Sequence, residues 1–308
     1  MVSELEADVP SAGGGREDRE EMTPISIRWA VALRETAAGP HFESLFRRAM
    51  LALSAGDVNT QRRFHFADDA LACVVGRLLT RRAFTRAGVT WDAAPARVVR
   101  DPRGKPRDPN AQLKFNVSHQ GDLVVLAATT DPTVIDIGVD VMRTDQDKEE
   151  AATRIDRLKN AFTLHEQRTM LAKNDEADRW RCFYRHWCLK EAVLKSTGKG
   201  ITEDLRKLEF HLSEEIGQDT VIYSTEYHQD GEIQPDFIFE ESNIGADHAT
   251  AVGKIVTRAY DRRPIDPPPL FELVDLPYLL EPSTNQCEDV NDANEFDIFM
   301  AKPWKPVI

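Results

Sequence analysis

Ile137 to Met142 reads IGVDVM, and Trp187 to Gly200 reads WCLKEAVLKSTGKG. The first is a buried-strand pattern, with Ile137, Val139 and Val141 as good β-formers and one acid, Asp140, set among them. A carboxylate inside an apolar strand must be solvated, paired or bound to a cation. The second is an amphipathic helix in which Trp187, Glu191 and Lys195 recur every four residues and share a face. Each feature has a plain alternative: an aspartate ending a strand at a turn, and a surface ion pair worth a few tenths of a kcal/mol.

Helical spacing also marks His41 to Leu53 and Ala67 to Ala87, the latter with Arg77, Arg81, Arg82 and Arg86 on its wetter face. Short β-branched runs follow at Arg97–Arg100, Leu113–Val117, Leu123–Ala128 and Val134–Val141, expected as one antiparallel sheet. Helices are then expected at Glu149–Lys173 and Glu176–Thr197, the second stopped by Gly198, before strands at Leu208–Leu212, Thr220–Thr225, Asp236–Glu240 and Thr250–Val256. The order predicts an α+β fold of two similar α/β halves, 25–142 and 143–260. The leader 1–24, rich in Glu, Asp, Gly and Ser, is expected to be disordered and is neither a secretory nor a transit signal. The Pro-rich, acidic tail 261–308 is expected to be a loop-like, disordered extension whose one apolar cluster is Leu270–Leu280.

Composition narrows the function classes. With 52 Asp and Glu against 39 Lys and Arg, the net charge of −13 argues against a nucleic-acid partner, which requires a cationic footprint. No apolar run approaches the roughly 20 residues that span a bilayer, so a cytosolic protein, and a monomer, is expected. Cys73, Cys182, Cys188 and Cys287 lack Cys-x-x-Cys spacing, against a disulfide framework or structural zinc site and for free thiols in a reducing compartment. Ser196 to Gly200 is no P-loop, because Val193 stands where the first glycine belongs and Gly200 follows Lys199. Ser118-His119 lies in no G-x-S-x-G elbow and is read as a ligand contact.

Taken together, IGVDVM and WCLKEAVLK, with Glu191 following Asp140 by 51 residues, resemble the paired signature of the 4'-phosphopantetheinyl transferases. Gly104-Lys105-Pro106 and Asn116-Val117-Ser118-His119 extend the likeness to the larger, Sfp-type members, over about 64–256. Within these, FNVSHQGDLVVLAA at 115–128 and FYRHWCLKEAVLK at 183–195 are most similar to the animal L-aminoadipate-semialdehyde dehydrogenase-phosphopantetheinyl transferases.

The resemblance implies a holo-[acyl-carrier-protein] synthase that moves the phosphopantetheine of coenzyme A to a serine of an apo acyl carrier protein or carrier domain, of fatty-acid synthase or aminoadipate reductase type. It implies Mg²⁺ as cofactor and adenosine 3',5'-bisphosphate as by-product. Asp140 and Glu191 would hold the metal, a hard cation that takes one or two carboxylates plus water and phosphate oxygens. Glu191 would also act as general base and Lys195 would neutralise or protonate the leaving phosphate. Bacterial relatives of this type usually carry a second acid where this chain has Met142, a poor ligand for Mg²⁺, so water or Gln120 would complete the shell. Lys105, His119, Asn116, Ser118 and the arginines Arg62 and Arg63 would contact the cofactor, with Arg77 a further candidate. Arg154, Arg157, Lys159 and Arg168 would form a local basic surface for an acidic carrier, although a solvated helix face explains them equally. The competing readings are a catalytically silent coenzyme A-binding or scaffold homologue and an Mg²⁺-dependent nucleotide hydrolase.

Overall fold

A computed structural model describes residues 23–144, 149–200, 204–263, 269–283 and 293–306. The expected leader therefore lies almost wholly outside the described residues, as does Cys287; Cys73, Cys182 and Cys188 are free thiols.

The N-terminal half contains β1 (Ser26–Ala32), α1 (Leu33–Ala38), α2 (Phe42–Leu51), α3 (Ala55–Arg63), α4 (Ala67–Arg86), the short pair β2 (Val99–Arg100) and β3 (Pro106–Arg107), β4 (Lys114–Gln120) and β5 (Leu123–Thr129). The C-terminal half contains β6 (Val134–Arg143), α5 (Ala151–Arg157), α6 (Leu164–Leu171), α7 (Glu176–Thr197), β7 (Leu208–His211), β8 (Glu226–Gln229), β9 (Glu232–Ile233), β10 (Phe237–Ile244) and β11 (His248–Val256). Three further elements follow: β12 (Glu272–Leu273), α8 (Leu276–Leu280) and α9 (Ala293–Met300). The expected α+β class is met.

One sheet runs β12-β1-β5-β4, with β1 between β12 and β5, and a second runs β10-β11-β6. Strand alternation sorts their side chains into layers. Val124, Leu126 and Ala128 of β5 face the α4 side, where Leu71, Val74, Val75, Leu78 and Leu79 are fully buried. Leu123, Val125 and Ala127 face the other way, onto Ile137, Val139 and Val141 of β6. The opposite face of β6 meets α7. The molecule is thus helix, sheet, sheet, helix, with one long buried helix behind each sheet. Arg28 of β1 crosses the sheet interface to Glu240 at 2.5 Å, and Glu240 also pairs with Lys254, so the buried charges are mutually satisfied.

Several expectations are corrected. Val134–Arg143 does not join the first sheet but pairs antiparallel with β11, so the sheets part near residue 130, upstream of the boundary expected at 142. β1 was not expected; its alternation is interrupted by Arg28, a charge that the sequence alone makes look exposed. The helix expected over Glu149–Lys173 is divided, because Thr163 and Glu166 form a capping box that starts α6. The strand expected at Thr220–Thr225 is displaced to β8; only an isolated bridge, Ile222 to Glu241, lies there.

The tail is the largest correction. Leu276, Leu279, Leu280 and Phe299 are buried in the N-terminal core, and β12 extends the first sheet in parallel with β1. Phe66, the N-cap of α4, offers no capping side chain, and the tail supplies partners instead. The amide of Ala67 donates to Pro303 O at 2.9 Å, and Asp68 accepts from the amide of Lys305 at 2.6 Å. Acidic composition concealed these apolar contacts.

Candidate active site

The site depends on how closely α7 approaches β6. A β-carbon on Gly138 would lie 2.2 Å from Ala192 O and 2.5 Å from Ser196 N, so only glycine lets helix backbone rest on strand backbone. Gly253 of β11, the cross-strand partner of Gly138, extends the trough; a β-carbon there would meet Phe239 at 3.1 Å and Ala192 at 3.4 Å. This seating brings the side chains of Glu191 and Lys195 beside Asp140.

Asp140 is 4% exposed. Its Oδ1 accepts from Lys195 Nζ at 2.6 Å and from Ser118 Oγ at 2.9 Å, and Lys195 Nζ also donates to Ser118 Oγ at 2.7 Å. Its Oδ2 is buried and has no hydrogen-bond partner among the described residues. Such an oxygen is costly unless a ligand satisfies it. Glu191 is half-buried and makes no hydrogen bond or ion pair with another described residue. Burial, and secondarily the Asp140 carboxylate, push the Glu191 pKa up, opposed by Lys195. One orphaned carboxylate oxygen beside an unpartnered carboxyl group is a fitting donor set for a hard divalent cation. Met142 projects from the same face of β6 and packs, partly buried, with the C-terminal core.

The residues expected on β4 form a seam to β6. Asn116 Oδ1 accepts from the Val139 amide at 3.0 Å, and Gln120 Oε1 accepts from the Arg143 amide at 2.7 Å, on either side of the Ser118–Asp140 bond. Side chains thus take the place of a backbone ladder where the edges of the two sheets meet. The Gln120 oxygen expected to help with the metal is engaged in that seam.

His119 points the other way along β4, to the rim between two clefts. One, of about 370 Å³, is lined by Phe64, Arg77, Arg100, Pro106, Asn116 and His119 among others. The second, of about 360 Å³, carries Arg34, Asp69, Gln120 and Lys305. Crowding by the cleft walls holds the His119 imidazole below its usual range, with Asp69 opposing. Arg100 escaped the sequence reading, though it heads the same turn as the Gly-Lys-Pro motif and donates to Gly104 O at 2.7 Å.

Lys105, expected at the cofactor, is engaged within the protein. Its ammonium is buried, 2.6 Å from Asp136 Oδ1, 3.1 Å from Ile137 O and 2.9 Å from Ser196 O. Three acceptors use its three protons, leaving none for a phosphate. Arg62 is likewise engaged, by Glu295 of α9, whereas Arg63 is exposed. Arg77 is 2.7 Å from Asp57. In the expected basic surface, Arg154 and Arg157 both pair with Glu149, and Lys159 lies 3.3 Å from Asp156. Arg168 has no ion pair among the described residues and sits between exposed Leu164 and Leu171 on α6.

Comparison with known proteins adds a separate line of support. A family model described as the 4'-phosphopantetheinyl transferase superfamily matches residues 136–252, and one described as 4'-phosphopantetheinyl transferase, N-terminal, matches 40–131. The L-aminoadipate-semialdehyde dehydrogenase-phosphopantetheinyl transferase of Rattus norvegicus is 36% identical over 237 residues, 73% of this chain and 74% of the relative. The Homo sapiens protein of the same name is 35% identical over 201 residues, 62% and 63% of the two chains. A phosphopantetheinyl transferase of Thraustochytrium sp. is 31% identical over 258 residues, 80% and 85%.

Proposed function

The chain belongs to the 4'-phosphopantetheinyl transferase superfamily and transfers phosphopantetheine to carrier proteins, and we propose that it does so from coenzyme A with Mg²⁺ held by Asp140 and Glu191. The observation that carries the metal assignment is the buried, partnerless Oδ2 of Asp140 beside the unpaired carboxyl of Glu191. When bound, the ion would neutralise diphosphate oxygens where charge develops during transfer.

The remaining work falls to the chain. Lys195 and Ser118 fix the other Asp140 oxygen, so that the carboxylate is held in one orientation and Oδ2 is left for a ligand. Lys195, one helical turn from Glu191 and partly exposed, places a positive charge where the leaving adenosine 3',5'-bisphosphate needs one. Glu191, with its pKa shifted upward, suits proton acceptance from the carrier serine. The cleft lined by Arg77, Arg100 and His119 would take the nucleotide end, with Arg63 at the α3 terminus as a further cationic contact. Lys105 keeps an indirect role, because it ties the Gly-Lys-Pro turn to the C-terminus of α7.

The partner would be an acidic carrier domain of the kind that gives the animal relatives their name, or that of a fatty-acid synthase, met by Arg168 between Leu164 and Leu171. Among the described residues no helix is long and apolar enough to cross a membrane. The test is to incubate the protein with apo carrier proteins, coenzyme A and Mg²⁺, and to read the intact mass of the carrier. A phosphopantetheine adduct that chelator prevents and Mg²⁺ restores is expected. An adduct indifferent to chelation would overturn the metal assignment.

A further inference from the structure

Strands β7 and β8 carry the same short pattern, Glu-x-His, at Glu209-Phe210-His211 and Glu226-Tyr227-His228. Their antiparallel register sets His211 opposite Glu226 and Glu209 opposite His228. Directly paired residues, and residues two apart on a strand, project from one face. All four side chains therefore form a square on one surface of the hairpin. The opposite face is fixed by Phe210 and Tyr227, buried and stacked with ring centroids 5.1 Å apart.

The imidazoles are close. His211 stacks on His228 with centroids 4.2 Å apart and on His165 of α6 with centroids 4.0 Å apart. Glu209 Oε1 lies 2.9 Å from His211 Nε2, and Glu226 Oε2 lies 3.4 Å from His228 Nε2. One ligand atom from each of His211, Glu226 and His228 lies within 4.8 Å of the others, although these residues come from two strands.

We propose that His211, His228 and Glu226 bind a divalent cation of the zinc class, separate from the Asp140–Glu191 site. Two imidazoles and one carboxylate suit Zn²⁺, Cu²⁺ or Ni²⁺ rather than Mg²⁺, which prefers oxygen. Ligand atoms about 3.4 Å apart fit the roughly 2 Å bonds of a tetrahedral ion. Side-chain rotation that unstacks the two imidazoles would bring the ligand atoms, within 4.8 Å of one another in the hairpin, to that spacing. Glu209, on the other ring nitrogen or edge of His211, is the outer carboxylate that orients a ligating histidine. His165 covers the His211 ring from α6.

The experiment titrates zinc chloride into tag-free, full-length protein in competition with a chromophoric chelator, with Mg²⁺ present. Wild type and Asp140→Asn should each take up a zinc equivalent that His211→Asn/His228→Asn lacks. Glu209→Gln should weaken uptake roughly 10- to 100-fold. Circular dichroism of the metal-free variants checks folding. Independently of any variant, Co²⁺ added to wild type should give visible ligand-field absorption that one equivalent of zinc abolishes. Equal zinc affinity in wild type and a folded double-histidine variant, or no visible Co²⁺ bands in wild type, would overturn the site.

Discussion

Asp136 and Asp140 leave β6 on the same face, and each meets a lysine at 2.6 Å: Lys105 in one case, Lys195 in the other. At the Asp136 end every polar group is engaged. One carboxylate oxygen takes Lys105 and the Ile137 amide, the other takes Arg107, and Lys105 closes onto the end of α7. At the Asp140 end one oxygen accepts two hydrogen bonds and the other has no partner among the described residues, where Glu191 nearby is likewise unpaired. Two aspartate–lysine pairs four residues apart are thus a closed clamp and an open ligand site. The difference lies in the partners of the second oxygen, not in burial, since the two aspartates are 7% and 4% exposed.

Gly138 stands midway between them, and substituting it should disturb both ends at once. Gly138→Ala drives a β-carbon into the α7 backbone, whose neighbours cannot yield as a flexible side chain would. The expected outcome is destabilisation by about 3 kcal/mol or more together with loss of transfer, measured by chemical denaturation and carrier mass. A stable, active Gly138→Ala protein would mean that α7 does not seat on β6 as described.

The next comparison separates the two ends. Asp136→Asn leaves Lys105 buried beside a neutral partner, and breaking such a pair costs about 3–5 kcal/mol. Its transfer activity, where the protein is folded, should fall far less than in Asp140→Asn. Asp140→Asn should lose transfer by roughly a thousandfold, the scale of removing one preorganised electrostatic group, with a smaller loss of stability. The opposite pattern, an inactive Asp136→Asn and an active Asp140→Asn, would exchange the roles assigned to the two ends.

How far the sequence revealed this depends on chain separation. Asp140, Glu191 and Lys195 were legible because an acid in an apolar strand and an i,i+4 pair are local patterns. Gly138 was legible as part of a motif, although its reason, the approach of Ala192 O, appears only in three dimensions. The setting of Lys105 was not legible because its acceptors lie 31, 32 and 91 residues away, and nothing in a Gly-Lys-Pro turn reports that distance. Arg28 hid β1 for the same reason, its partner Glu240 being 212 residues downstream. In the tail, acidic composition outweighed four buried apolar residues whose spacing was too short to read as periodic. The Glu-x-His pairs become a cluster only once β7 and β8 are in register.

The smallest effect concerns Glu191 alone. With its pKa raised in the fold by burial first and by Asp140 second, the folded protein binds a proton there at a pH where the unfolded chain does not. Protonation of Glu191 therefore adds stability as pH falls through its folded pKa, and above that pKa the ionised form destabilises the metal-free protein. Glu191→Gln should melt higher than wild type under chelation at pH 8, with the gap narrowing as pH falls into the raised carboxylate range. His186, fully buried with its pKa pushed down to about 3, acts in the opposite sense, costing stability as pH drops below the ordinary histidine value; it is common to both proteins and cancels in their difference. Adding Mg²⁺ should raise the melting temperature of wild type more than that of Glu191→Gln, because binding to the native state alone stabilises it. Parallel melting curves across pH, with equal Mg²⁺ shifts, would show that Glu191 is an ordinary solvated carboxylate, and the open end of β6 would then rest on Asp140 alone.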